Sequence, residues 1–211
     1  LVQPMLVGLD AAATVTGSVN TVLPGEHGPT GANTDVAGVV TALAHHSVGE
    51  PMVLGGGATA ASAVVALAAL GADDVQVVVR APARGAVVAG VGERAGIRVT
   101  LRGWDDVPRL AASATVVVST VPFAASLFAA GRVRAAGGLT GVLLDVVYDP
   151  WPTPLAAAWT ASGGTVVDGF EMLVGQAVEQ VRLMTGRTPE PAVLRAAGRA
   201  ERTSRAAQAG A

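Results

Sequence analysis

The sequence contains no cysteine and no lysine, and all 14 of its basic residues are arginines. Without cysteine, neither a disulfide framework nor a thiolate metal site is available; the composition fits a reducing compartment, and the cytoplasm is the expected location. Without lysine, these residues supply no chemistry that needs a side-chain amine. The formal net charge of −2 leaves no broad basic field, so no nucleic-acid partner is expected. Long hydrophobic runs are also missing. The longest, residues 58–70, is closed by Gly71 and two aspartates, well short of the ~20 residues a bilayer-spanning helix requires, and no membrane segment is expected. The opening Leu1-Val2-Gln3-Pro4-Met5 has neither a basic signal-peptide region nor an initiator methionine at position 1, and the chain is expected to start inside a longer protein. His27, His45 and His46 fall in or near loops without converging carboxylates, so no metal site is expected.

What is present is a core: 51% of the 211 residues are hydrophobic, enough for one domain and part of another. From Pro51 onward, β-branched apolar runs alternate with Ala/Leu-rich amphipathic runs. Strands are expected at 52–54, 75–79, 97–101, 115–119, 141–146 and 165–167, with helices at 58–70, 85–95, 107–112, 124–135 and 154–161. This alternation predicts an α/β fold, a doubly wound, Rossmann-like parallel sheet. Before Pro51 a short helical piece to Ala13, a strand at 18–23 and a helix from Asn33 toward Ala44 cannot bury a core by themselves. The expected organisation is therefore residues 1–46 as the later part of a smaller α/β substrate-binding domain and 47–168 as the cofactor-binding domain. Helices at 169–200 would bridge back to the first part, and 201–211 would form a flexible tail.

The most informative local pattern is Val53-Leu54-Gly55-Gly56-Gly57-Ala58-Thr59-Ala60, an apolar strand turning through glycine directly into an Ala-rich helix. Gly55 and Gly57 permit a tight bend and close approach to a pyrophosphate, Ala60 fills the third small position, and the helix start offers free N–H groups to the anion. Gly56, Ala58 and Thr59 complete the bend. Where an NAD-binding unit usually places an acidic residue for the ribose diol, this chain has Arg80, with Arg84 following. A guanidinium fork suits a 2′-phosphate, which favours NADP(H) over NAD; the alternative is a pair of solvated loop charges.

Four further motifs carry polar residues: Gly17-Ser18-Val19-Asn20-Thr21; Asn33-Thr34-Asp35 followed by Gly38; Asp145-Val146-Val147-Tyr148-Asp149-Pro150 followed by Thr153-Pro154-Leu155; and Gly169-Phe170-Glu171-Met172-Leu173-Val174-Gly175-Gln176. Each has a plain structural reading, helix capping for Asn33, Thr34 or Asp35 and core packing for Met172. Taken in order with the glycine bend, they resemble the shikimate dehydrogenase family across residues 17–176. The resemblance implies NADPH-dependent, reversible reduction of 3-dehydroshikimate to shikimate, on the route to chorismate and the aromatic amino acids. It places Asn20, Thr34, Asp35, Tyr148 and Gln176 at the substrate, and Thr120, Gly169 and Met172 beside the cofactor. It makes Asp35 the aspartate of a Lys/Asp pair that handles the proton. The family's lysine lies upstream of the Gly17 motif, as do the paired serines that hold the substrate carboxylate, and neither is found here. Two alternatives stay open: a quinate/shikimate dehydrogenase of broader specificity, and an inactive NADP-binding homologue. The expected partner is a small-molecule substrate, and the expected assembly a monomer or homodimer.

Overall fold

The computed structural model describes residues 5–209, without the side chains of Pro82, Arg84 and residues 206–209. The chain enters through a two-residue strand, β1 (Gly8–Leu9), and a one-and-a-half-turn helix, α1 (Ala11–Thr16). Asp10 caps that helix by accepting from the Ala13 amide, and Gly17 ends it in the left-handed conformation at φ +69°. Strands β2 (Thr21–Leu23) and β3 (Thr30–Ala32) follow, pairing antiparallel, while β1 lies parallel to β3 on its other side. The expected strand at 18–23 is thus shorter, and β1 and β3 were not anticipated. They are two- and three-residue strands among Gly, Pro and Thr, too brief to show an alternating pattern.

Helix α2 (Asp35–Leu43) leads to the second sheet, whose strands and helices alternate as β4 (Pro51–Leu54), α3 (Ala58–Ala69), β5 (Asp74–Val78), α4 (Pro82–Ala95) and β6 (Arg98–Arg102). A 3-10 turn at Trp104–Asp106 precedes α5 (Val107–Ser113), β7 (Val116–Ser119), α6 (Phe123–Arg134), β8 (Val142–Asp145), α7 (Pro154–Ala161) and β9 (Thr165–Asp168). All pairings in this sheet are parallel, in the order β6-β5-β4-β7-β8-β9. The strand order reverses between β4 and β7, so a crevice opens at their carboxyl ends, beside the glycine bend. The central strands are buried on both faces. Val53, Val75, Val77, Val116, Val118 and Leu144 pack toward α2, α3 and α8 (Gly169–Thr185), while Met52, Leu54, Val78, Val117 and Leu143 pack toward α5, α6 and α7. The doubly wound α/β fold read from the sequence is the fold observed.

The final helix, α9 (Pro191–Ala209), runs on past residue 201, where the sequence leads one to expect a flexible tail. Its lack of an apolar stripe is offset by charge. Arg195 and Arg199 pair with Glu171, Arg202 pairs with Asp168 at 2.8 Å, and the Arg202 guanidinium lies over the Phe170 ring. No helix among the described residues is long and apolar enough to cross a membrane.

Two glycines let α8 reach back from the large sheet to α2. A Cβ at Gly38 would stand 2.7 Å from the Met172 carbonyl oxygen and 2.7 Å from Gln176 Cγ, and one at Gly175 would stand 2.8 Å from Thr41 Cβ and 3.0 Å from Gly38 Cα. The helices therefore cross with backbone against backbone. Gly38→Ala is expected to force them apart and to cost about 1–3 kcal/mol. In a chain of this size that lowers Tm by roughly 2–4 °C per kcal/mol, measurable by calorimetry.

Candidate active site

The crossing of α2 and α8 fixes what happens one helical turn away. Asp35, the first residue of α2, and Gln176, in the middle of α8, are far apart in sequence, yet the Gln176 side-chain amide donates to Asp35 Oδ1. Asn20, just before β2, donates from Nδ2 to the same oxygen at 2.6 Å. Asn20 is itself held rigidly. Its Oδ1 accepts from the Thr34 amide at 3.0 Å, the Thr34 hydroxyl at 3.1 Å and the Thr21 hydroxyl at 2.9 Å. Gln180, one turn beyond Gln176, donates to Thr21 Oγ1 at 3.2 Å. Thr34 is 1% exposed, so its side chain stands behind Asn20 and orients it.

Asn33 precedes Thr34, the N-cap position of α2, and ties the loop together instead of capping the helix. Its Oδ1 accepts from the Asp35 amide at 3.0 Å, and its Nδ2 donates to Thr16 Oγ1 at 2.9 Å and to Ser62 Oγ, on α3, at 3.0 Å. The loop that presents Asp35 is thereby tied to the helix that follows the glycine bend. Neither Ser62 nor Gln180 was foreseen. Their sequence signal was a lone polar residue in an apolar helix and a polar residue four beyond Gln176 on the same face.

Asp35, Gln176, Tyr148, Thr59, Met172 and Gly169 line a common cleft of about 170 Å³. Tyr148, 43% exposed, sits on the loop after β8. That loop is closed at its base by Asp145, whose Oδ2 accepts from the Thr153 hydroxyl at 2.6 Å, while Thr153 Oγ1 caps α7 by accepting from the Ala156 amide. Gly169 has a packing reason as well. A Cβ there would lie 2.5 Å from the Val146 carbonyl oxygen, so α8 begins directly against the end of β8.

Beside this cleft a larger cavity, about 790 Å³, is lined by Gly55, Gly57, Arg80, Thr120, Trp104 and Phe128 among others. Gly55 has φ +123°, and any Cβ would collide with Thr120 Oγ1, which donates to the Leu54 carbonyl at 2.9 Å. Gly57 precedes α3 with no side-chain cap, and a Cβ there would meet nothing within 4 Å. Gly56 and Ala58 complete the bend, with Ala58 exposed as the first residue of α3. The helix start is thus open toward the cavity with its N–H groups unclaimed by a cap. Arg80 is exposed at the cavity's edge, after β5. The Arg84 side chain lies outside the described residues.

This arrangement, a phosphate-sized glycine bend beside a carboxylate held by two amides, is set against known proteins as follows. Residues 169–197, α8 and the start of α9, match the family model described as the shikimate 5'-dehydrogenase C-terminal domain. A shikimate dehydrogenase (NADP(+)) of Halobacterium salinarum is 36% identical over 199 residues, covering 92% of this chain and 73% of that protein. The chain belongs to the shikimate dehydrogenase family. Among solved structures, Mycobacterium tuberculosis shikimate dehydrogenase superposes with a TM-score of 0.81 at 39% identity, covering 89% of this chain and 71% of that one. The Thermus thermophilus shikimate 5-dehydrogenase in complex with NADP(H) and shikimate gives 0.74 at 27% identity, covering 94% of this chain and 74% of that one.

In this shikimate dehydrogenase homologue burial pushes the Asp35 pKa above its ordinary 3.8, against the opposing effect of the Asn20 and Gln176 hydrogen bonds. Folding therefore favours the protonated carboxyl. The native state loses stability as the pH climbs from 3.8 through the raised value, because the unfolded chain releases that proton first. Asp35→Asn removes this loss. The variant is expected to gain Tm relative to wild type as the pH rises above 3.8 through the raised value, followed by thermal melts at several pH values. A difference independent of pH would show that the carboxyl is not desolvated.

Proposed function

We propose that this chain binds NADP(H) along the glycine bend and the shikimate/3-dehydroshikimate pair at Asn20, Asp35, Tyr148 and Gln176, and serves the reversible NADPH-dependent reduction of the ketone, a step toward aromatic amino acids. On this reading residues 47–168 form the cofactor unit and residues 1–46 belong to the substrate unit, with 169–200 bridging them. The observation that carries it is the convergence of Asn20 and Gln176, from separate parts of the chain, on one oxygen of Asp35 in a cleft that Met172 shares. A polyhydroxylated acid needs fixed donors and acceptors side by side, and amides around a carboxylate provide both.

When bound, the dinucleotide supplies the hydride. The protein's part is to place the ring and the substrate and to manage the proton that the carbonyl oxygen takes up as hydride arrives. Met172 and Gly169 border the face where the nicotinamide would lie, and Gln176, four residues on along the same helix face, reaches the substrate side. Asp35, with its pKa raised by burial, is the group positioned to accept or relay a proton from a substrate hydroxyl. In the family the relay is a Lys/Asp pair, and this sequence holds its aspartate and no lysine.

The test is titration of the protein with NADPH and with shikimate, followed by NADPH oxidation in the presence of 3-dehydroshikimate. Binding of both with turnover supports the full reading. Binding of both without turnover leaves a cofactor- and substrate-binding protein, and no binding of either rejects the site. Where turnover is seen, Asp35→Asn is expected to lower kcat about 100-fold or more with NADPH affinity unchanged. Arg80→Asp replaces a guanidinium at the cavity's edge with a charge that repels a 2′-phosphate. The preference for NADPH over NADH is expected to fall roughly 10- to 100-fold, read from kcat/KM or from Kd for the two cofactors.

A further inference from the structure

The larger cavity contains two aromatic rings for which the glycine bend and Arg80 give no reason. Trp104 follows β6 and Phe128 lies on α6, their ring centroids 5.3 Å apart at an interplanar angle of 68°. The Arg132 guanidinium stands 5.2 Å from the Phe128 centroid and is held by Asp105 at 2.8 Å. The ring is thus fixed by its neighbours, yet Phe128 remains 50% exposed. Trp104 Nε1 is buried without a hydrogen-bond partner among the described residues, so no internal polar contact explains why the indole borders the cavity.

The rest of the cavity wall holds no other ring: it is the glycine bend, Arg80, Thr120 and the aliphatic residues Val78, Val121, Pro122, Ala124 and Ala125. An exposed, prepositioned aromatic corner in such a wall is a seat for a flat apolar group. Its place in the fold says which one. In a doubly wound sheet the half of a dinucleotide that extends past the pyrophosphate toward the second strand carries the phosphorylated ribose and the purine. Here that strand is β5, which ends at Val78 beside Arg80.

We infer that Trp104 and Phe128 form the wall against which the purine base of the cofactor rests, with Arg80 at its 2′-phosphate. The inference rests on the NADP(H) reading and adds to it that the adenosine half is the anchor, through an aromatic corner drawn from two distant elements. The ring already packs against Trp104 and Arg132 without the ligand, which limits the conformational entropy lost on binding.

Calorimetric titration with 2′,5′-ADP, nicotinamide mononucleotide and shikimate separates the halves of the site. Phe128→Ala, at a half-exposed position, is expected to weaken 2′,5′-ADP by roughly 5- to 100-fold while leaving the other two ligands unchanged. Trp104→Phe, which keeps a ring, is expected to abolish the quenching of intrinsic fluorescence by 2′,5′-ADP with a smaller loss of affinity. Unchanged 2′,5′-ADP affinity in Phe128→Ala overturns the inference and leaves the cofactor reading standing. Equal weakening of all three ligands also overturns it, because it reports a general disturbance of the fold. Failure of the wild-type protein to bind 2′,5′-ADP overturns both.

Discussion

The site depends on the close crossing of α2 and α8. Hydrophobic burial drives the two helices together, but their distance is set by what is missing, the side chains at Gly38 and Gly175. At ordinary helix spacing, Gln176 would stand off from Asp35 and the carboxylate would keep only the Asn20 hydrogen bond. At this spacing, one amide from each side closes on one oxygen. A polar constellation is thus placed by an apolar constraint, and its geometry is only as rigid as the packing beneath it.

The same economy recurs around the site. Gly169 brings the start of α8 onto the end of β8, and Gly55 leaves room for the Thr120 hydroxyl that closes the strand end. Asn33 and Ser62 tie the Asp35 loop to α3, whose N-cap Gly57 lines the larger cavity and whose Thr59 lines the cleft. The carboxyl of Asp35 is held at the expense of its own solvation, which raises its pKa. A group kept half-buried against that penalty, with both amides supplied from other elements, is a candidate for chemistry rather than for stability.

Much of this was legible in the chain. Alternating β-branched and Ala-rich runs specify parallel strands and covering helices, because a strand buried on both faces must be apolar throughout. The glycine bend was readable because a tight turn at positive φ leaves few residue choices. The residues around Asp35 were readable only as ordered motifs resembling a family, since nothing local ties Asn20 or Gln176 to a carboxylate. The family resemblance places Thr34 at the substrate, and the structure buries it behind Asn20, because spacing gives adjacency without direction. The length of α9 is not legible in the sequence, because it docks through arginines reaching Glu171 and Asp168 and a glycine against the Phe170 ring, which form no apolar stripe.

Composition and pattern alone therefore determined the fold class, the position of the phosphate-sized bend and the candidate polar residues, all consequences of local backbone freedom and hydrophobic period. The tertiary structure decided which of those residues meet. It set Gln176 on Asp35, put Thr34 behind Asn20, and brought Trp104 beside Phe128. Such contacts join segments far apart along the chain, and they follow from how helices pack against a twisted sheet, a global property that no window of sequence contains.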